Sequence, residues 1–316
     1  MKFLISFTLF TALILSSLIT LVVTVDPYDK LGNNPFGFKT KAVAQSRENK
    51  FIMLENTKNK YQAFIIGSSA AHRFPTKTVK ELTGLNTFNY SAQHTTPQDY
   101  FAIVRHIIDK QIAQKIFLQI GFIELSKNYK VDNRLYNSSL VKYLRGQKKP
   151  NTIFDNNYFT LDAIRDSFRV IFVNNFGDAL HSNYLEHGNY KDEKIVKGHV
   201  KVGQASYKDW ILDLEKVEIL KEIKELCKKE NIELIVFTAP LSFEHLKVAK
   251  AKKGYQDYLN TLKTVFGNFW NFHDDSLKAY NETKFFKNST HPTREFSKIL
   301  LKRMITKKPD SLGSFN

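Results

Sequence analysis

From Ala63 onward, short apolar runs alternate with longer amphipathic stretches, and this rhythm constrains the fold more than any other feature. Runs at Phe64–Gly67, Thr87–Tyr90, Lys115–Ile120, Glu233–Thr238 and Asn268–Phe272 have strand length and are rich in apolar residues, as strands of a sheet covered on both faces are. The stretches between them carry helical spacing. Pro97–Lys110 sets Phe101, Val104 and Ile108 on one face, and Leu214–Lys229 does the same with Ile219, Ile223, Leu226 and Cys227. The last, Pro292–Ile305, shows Phe296, Ile299, Leu300 and Met304. Five strands with intervening helices predict an α/β fold, a flavodoxin-like doubly wound parallel sheet. Its ligand site should lie beyond the carboxyl ends of the strands.

Two regions depart from that rhythm. Phe3–Val25 contains no charge and consists almost wholly of Leu, Ile, Phe, Val, Thr and Ser. As a helix it would reach about 34 Å at roughly 1.5 Å per residue, enough to cross a bilayer. It exceeds the apolar core of a cleaved leader, and no Ala-x-Ala site follows, so residues 1–25 read as a retained transmembrane anchor. Residues 26–60 read as a juxtamembrane connector, broken by Asp26-Pro27, Gly32-Asn33-Asn34-Pro35 and Gly37. Within it, Lys41 to Lys58 is compatible with an amphipathic helix beside the membrane, its charge suited equally to anionic head groups or to water. The remaining domain, 61–316, carries an insertion at about 125–210, longer than a plain connection. Tyr158–Asn174 inside it has helical spacing through Leu161, Ile164, Phe168 and Ile171.

Chemistry concentrates at two points. Ala63–Ile66 ends in Gly67-Ser68-Ser69, where a buried strand would hand a small nucleophilic side chain to the sheet edge; the same triplet also reads as a simple turn or helix cap. Near the far end, Asn288-Ser289-Thr290-His291-Pro292 opens the last helix. Pro292 biases His291 away from the helical region, into the loop that feeds the helix, where an imidazole could take a serine proton. Phe285-Phe286 would pack that loop against the sheet.

These two stretches together resemble the SGNH/GDSL hydrolase superfamily, in which a serine of a Gly-Asp-Ser motif pairs with the histidine of an Asp-x-x-His motif. The resemblance implies Ser69 as nucleophile, with Ser68 in place of the aspartate, and His291 as base, with Asn288 where the acid is expected. It is closest to a membrane-anchored bacterial branch that carries Gly-Ser-Ser and a Val-Asp-Pro-Tyr after its anchor, here Val25-Asp26-Pro27-Tyr28. The superfamily's oxyanion hole uses the nucleophile's N–H, a glycine N–H in a second block and an asparagine side chain in a third. The second block corresponds to Phe88-Asn89-Tyr90-Ser91, with Ser91 for the glycine. The third corresponds to Gly121-Phe122-Ile123-Glu124, with Ile123 for the asparagine and Gln119 or Asn89 as substitutes. Asn288 can orient the imidazole but brings no charge; Asp274 or Asp275 is the alternative partner, or merely a turn signal. His72 and Arg73, one turn beyond Ser69, suit either an anionic or sugar substrate or an exposed helical position, and His94 would border the site.

Charge and cysteine content narrow the partners. Lys plus Arg is 47 against 31 acids, a formal charge of +16, yet the lysines are scattered and no nucleic-acid motif appears, so nucleic acid is not expected. The single cysteine, Cys227, allows no internal disulfide, and the histidines lack metal-ligand spacing; neither metal nor cofactor is expected. Two function classes remain. One, implied by the resemblance, is an exported, anchored serine esterase or O-acyltransferase acting on acetyl or similar groups of a surface polysaccharide or cell-wall glycan, as members of that branch do, some of them beside a multi-span acyltransferase partner. The other is a non-catalytic descendant that binds a glycan or a membrane partner. The resemblance implies a single-pass protein of the bacterial inner membrane with its main domain on the periplasmic side, although Lys30, Lys39 and Lys41 after the span oppose that orientation by charge count.

Overall fold

A computed structural model describes residues 1–27, 31, 35–38, 46–129, 159–176, 186–188, 207, 209–280, 284–307 and 312–316. Tyr28, most of the expected connector between 28 and 45, and most of the 125–210 insertion lie outside the described residues. The chain divides into two compact units.

The first unit holds the N-terminal segment through residue 45 and much of the insertion. Its long helix α1, Lys2–Val25, has a mean hydropathy of 2.3 over its most apolar window, long and apolar enough to cross a membrane. Large apolar side chains from Phe3 to Ile19 are exposed, whereas Val22 and Val25 are buried. Val22 packs with Ala163 and Ile164 of the insertion helix, Leu161–Phe176; a helix forms where the spacing placed one, but its buried positions are Ala163, Asp166, Ser167 and Val170, while Leu161 and Phe168 are exposed. Asp26 ends α1 in the left-handed region (φ 44°) and its carboxylate accepts from the Leu31 N–H at 2.9 Å.

The second unit, built from Ser46–Val131 and Tyr184–Asn316 with a short piece of the insertion, carries the sheet. Its elements follow in chain order: α2 (Ser46–Asn56), β1 (Ala63–Ile66), α3 (Thr76–Thr83), β2 (Thr87–Asn89), α4 (Pro97–Lys110) and β3 (Lys115–Ile120). Counting the first unit's insertion helix as α5, there follow α6 (Leu214–Lys229), β4 (Glu233–Thr238), α7 (Phe243–Lys250), α8 (Tyr255–Phe266) and β5 (Trp270–Asn271). The chain closes with β6 (Phe286–Asn288), β7 (His291–Pro292), α9 (Arg294–Thr306) and β8 (Ser314–Phe315). The sheet runs β2-β1-β3-β4-β5-β8, parallel throughout except for β8. This is the doubly wound order expected, with β8 as an antiparallel edge that the sequence pattern did not announce.

Every residue of β1 is buried, because helices cover both faces, and its run is accordingly apolar without alternation. The order reverses at β1, which pairs with β2 on one side and β3 on the other. That switch leaves a crevice beyond the carboxyl ends of β1 and β3. Two expectations shift. The buried face of α4 is Tyr100, Ile103, Val104 and Ile107, with Phe101 and Ile108 only half-buried. The last helix begins at Arg294, because Thr293 caps it by accepting the Phe296 N–H, and His291-Pro292 instead forms a short strand.

The second half of the expected connector is a working part of this unit. Helix α2 buries Arg47 and Lys50 rather than turning them to head groups or water. Arg47 forms a two-pronged pair with Asp99 and also donates to the His94 carbonyl, while Lys50 donates to Asn89 Oδ1 and Ser91 Oγ. The boundary at residue 60 therefore falls after a helix that is already built into the sheet unit.

Candidate active site

The nucleophile arm begins where β1 ends. Gly67 is required by space: a Cβ there would stand 2.7 Å from Gln119 Oε1 and 2.9 Å from Ala71 Cβ. Ser68 then caps a 3-10 turn, Ser69–Arg73, from an extended conformation, and the Ala71 N–H donates back to the Ser68 carbonyl. The turn is braced from two sides. Gln119 Oε1, on β3, accepts both the Ser68 N–H and the Ser68 hydroxyl at 3.0 Å. Asn89, at the end of β2, donates its amide to the carbonyls of Ala71 (2.9 Å) and Phe74 (3.0 Å). Ser68, where the resembled motif has an aspartate, is thus a strut between strands.

The base arm is a hairpin. In the β6–β7 pair Asn288 stands opposite His291, with Ser289-Thr290 as the turn. Phe286 is fully buried against Phe296 of α9, ring centroids 5.1 Å apart, and the Thr293 hydroxyl donates to the Lys284 carbonyl at 2.6 Å. The two phenylalanines thus anchor the hairpin on the last helix. The Ser242 N–H, at the start of α7, holds the hairpin turn through the Ser289 carbonyl.

The arms meet at the imidazole. His291 Nε2 lies 2.8 Å from Ser69 Oγ, and Nδ1 lies 2.8 Å from Asn288 Oδ1. The Thr290 N–H donates to that same Oδ1 at 3.1 Å, which fixes the amide with its oxygen toward the ring. Nδ1 must then carry the proton, and Nε2 presents its lone pair to the serine hydroxyl. This is the tautomer a general base needs. Burial lowers the pKa of His291 to about 4, and the positive charges of Arg73, Lys287 and His94 add to the effect. The ring is neutral at pH 7, and its protonated form is poorly supported.

The other residues singled out in the sequence take different places. The Asn89 side chain, as described, holds the turn. Ser91 is buried, and its N–H and hydroxyl both donate to Asn89 Oδ1. The Gly121 N–H donates to Glu124 Oε2 at 2.7 Å. The structure therefore engages all three within the scaffold rather than aiming them at Ser69, and Gln119 is the strut already described. Asp274 caps its own turn through the N–H and hydroxyl of Ser276, and Asp275 pairs with Lys250 at 3.6 Å, so neither supports His291. His94, in the left-handed region (φ 49°), borders the site as expected.

Two participants carried no sequence signal. Glu124 is fully enclosed, accepting from the Tyr100 hydroxyl at 2.6 Å and from Gly121, and burial raises its carboxyl pKa. It completes the chain Ser68–Gln119–Glu124–Tyr100 beneath the nucleophile. Lys287, on β6, faces the site from the exposed strand. No cluster of metal-ligating side chains occurs among the described residues.

A cavity of about 230 Å³ opens beside Ser69 and His291, with Ala70, Phe122, Ile123, Ala239 and Leu241 as its apolar lining. It collects residues from beyond the carboxyl ends of β1, β3, β4 and β5, where a doubly wound sheet places a ligand.

No protein-family model matches the sequence, and no curated protein does. Among solved structures the chain is similar to a Streptococcus pneumoniae protein assigned as a platelet activating factor, at 10% identity over 83% of this chain and 90% of that one, TM-score 0.43. It is similar to a protein of Bacteroides fragilis assigned as an acylhydrolase, at 10% identity over 83% and 97%, TM-score 0.41. A GDSL-like lipase of Bacteroides thetaiotaomicron shows 11% identity over 84% and 98%, TM-score 0.41.

Proposed function

We propose that the protein is a serine esterase or O-acyltransferase, with Ser69 as nucleophile, His291 as base and Asn288 as the residue that orients it. The observation that carries this reading is the relay of two 2.8 Å contacts from Ser69 Oγ through His291 to Asn288. Ser69 Oγ attacks the acyl carbon as its proton passes to His291 Nε2. The carbon–oxygen bond to the alcohol then breaks, and His291 returns the proton to the departing oxygen, leaving an acyl-serine. A second hydroxyl, from water or a sugar, gives its proton to His291 and takes the acyl group, and Ser69 recovers its proton as it leaves. The developing oxyanion is met by the N–H groups of Ser69 and Ala70, which open the 3-10 turn and have no acceptor within it.

The apolar cavity accepts a short acyl group, of which acetyl is the simplest, and a surface polysaccharide or cell-wall glycan supplies the alcohol. Helix α1 anchors the chain in the inner membrane with the sheet unit outside the cytoplasm, where such glycans are found. A reporter active only in the periplasm, fused after residue 60, should be active; a stable but silent fusion would reverse that orientation. Covalent labelling by a fluorophosphonate tests the chemistry. Labelling of the full chain that is lost in Ser69→Ala and in His291→Ala is expected. Absence of both labelling and aryl acetate turnover would favour the second reading, a glycan- or partner-binding protein. That reading draws support from Asn288, which brings no charge to the imidazole, and from the Gly121 N–H, which is already engaged by Glu124.

A further inference from the structure

Helix α5 is built inside out for a helix in water. Leu161, Phe168, Phe172 and Phe176 recur along it at intervals of seven, four and four residues, which places them on one face. That face is open: Leu161 is 86% exposed, Phe168 56%, Phe172 62% and Phe176 78%. The buried face is instead Ala163, Asp166, Ser167 and Val170. There the Ser167 hydroxyl donates to the Ala163 carbonyl at 2.8 Å, and Asp166 accepts from Arg165. A surface helix in water turns its apolar stripe inward and its polar residues outward. Large aromatic side chains facing out over a small and polar inner face suit lipid surroundings instead. Among the described residues beyond α1, Phe315 is the one strongly exposed phenylalanine outside the first unit.

What covers this face follows from the helix that α5 packs on. Ala163 and Ile164 meet Val22, in the last turn of α1, so the outward aromatic face and the exposed apolar surface of α1 belong to one packed pair. The 16 residues of α5 reach about 24 Å at roughly 1.5 Å per residue, short of a hydrocarbon core of about 30 Å. Asp162, Arg165, Asp166 and Arg169 also make it unfit to be buried whole. We propose that α5 is an interfacial membrane helix, with the Leu161, Phe168, Phe172 and Phe176 stripe sunk into the boundary between head groups and acyl chains where α1 leaves the bilayer. The inference rests on the reading of α1 as a membrane anchor. Its four charges sum to zero, so apolar area rather than attraction to anionic head groups carries the contact. The Lys41 to Lys58 stretch, which the sequence offered for such a place, is instead tied into the sheet unit through Arg47 and Lys50.

The test measures depth in the bilayer. Full-length Phe168→Cys, Phe172→Cys, Leu13→Cys and Glu225→Cys proteins are each labelled with a thiol-reactive fluorophore and reconstituted into phosphatidylcholine vesicles. Some of the lipid carries a nitroxide quencher near the top of its acyl chain. Cys227 is buried, so the wild-type chain is the labelling blank. Leu13 lies midway along α1 and reports on the anchor, whereas Glu225 is exposed on α6 of the sheet unit. Labels at 168 and 172 should lose about half of their fluorescence, because the apolar face of an interfacial helix lies roughly 5–10 Å into the boundary. The label at 225 should keep its own. Two stripe positions leave the test standing if one variant fails to fold. Quenching at 13 without quenching at 168 or 172 overturns the proposal and keeps the anchor. Quenching at 168 and 172 but not at 13 keeps α5 in the lipid and removes the anchor, and no quenching anywhere removes both. Disulfide pairing between two unlabelled Phe172→Cys chains, with no quenching at 172, assigns the stripe to a second copy and overturns the proposal.

Discussion

The nucleophile arm and the base arm meet across a single hydrogen bond but are held by opposite means. Ser69 sits on a turn whose supports, Asn89, Gln119, Glu124 and Lys50, are all fully or almost fully buried. Each is satisfied by another buried polar group, so the network is bound up with the fold itself. His291 sits on a hairpin whose Lys287 and Asn288 are exposed, and which is tied to the core by Phe286. Disturbing the supports of the first arm should therefore cost stability and activity together, while disturbing Ser69 itself or the second arm should alter activity alone.

The largest effect separates chemistry from scaffold. Ser69→Ala and His291→Ala should each lower aryl acetate turnover by about 10⁴-fold or more, with a thermal midpoint close to that of the wild type. A variant that lost activity only in proportion to folded protein would break the comparison. On the buried side, Asn89→Ala removes the donor that ties two carbonyls of the turn and leaves them with Lys50 in an incomplete network. A loss of about 2–3 kcal/mol of unfolding free energy is expected, with activity falling alongside it. Gly67→Ala should act in the same direction, since its Cβ would press on Gln119 and Ala71. Urea denaturation followed by circular dichroism measures both. A stability unchanged in both variants would show that the brace is not part of the fold.

What could be read from the sequence follows the same division. The strands β1, β3 and β4 were legible because burial on both faces leaves an apolar run that no other local structure explains as well. The approach of Ser69 and His291 was legible as a resemblance of motifs at two ends of the chain. The supports were not. Arg47 finds Asp99, and Lys50 finds Asn89, only after the sheet has formed, and a basic residue in a polar stretch carries no local mark of burial. The β6–β7 pair escaped because strands of three and two residues have no periodicity to detect. Lys287 escaped with it, since its position facing Arg73 is set by the hairpin. Phe101 and Ile108 of α4 were placed one position off, because helical spacing locates a stripe but not its centre.

The smallest expected effect bears on the base arm alone. His291 has its pKa lowered to about 4, chiefly by burial and then by Arg73 and Lys287. Since the neutral ring is the active form, kcat/KM for a neutral ester should stay nearly level from pH 7 to about 5 and fall only below that. Asn288→Asp places a carboxylate against Nδ1, favours the imidazolium and should move the acid limb upward. It should also raise the rate above pH 7 by ten-fold or more, which corresponds to about 1.4 kcal/mol. Stability must be followed in parallel, because His273 is also drawn down to about 4 and His72 is drawn well below its usual value. A histidine whose folded pKa lies below its unfolded value of about 6.5 takes up its proton first in the unfolded chain. Stability is therefore full above about pH 6.5 and is lost as the pH falls toward 4. Circular dichroism at each pH separates unfolding from protonation of His291 in the folded protein. A wild-type acid limb near 6.5 in fully folded protein would mean that Arg73 and Lys287 do not act on the imidazole. An unchanged limb in Asn288→Asp would mean that position 288 orients the ring without coupling to its charge.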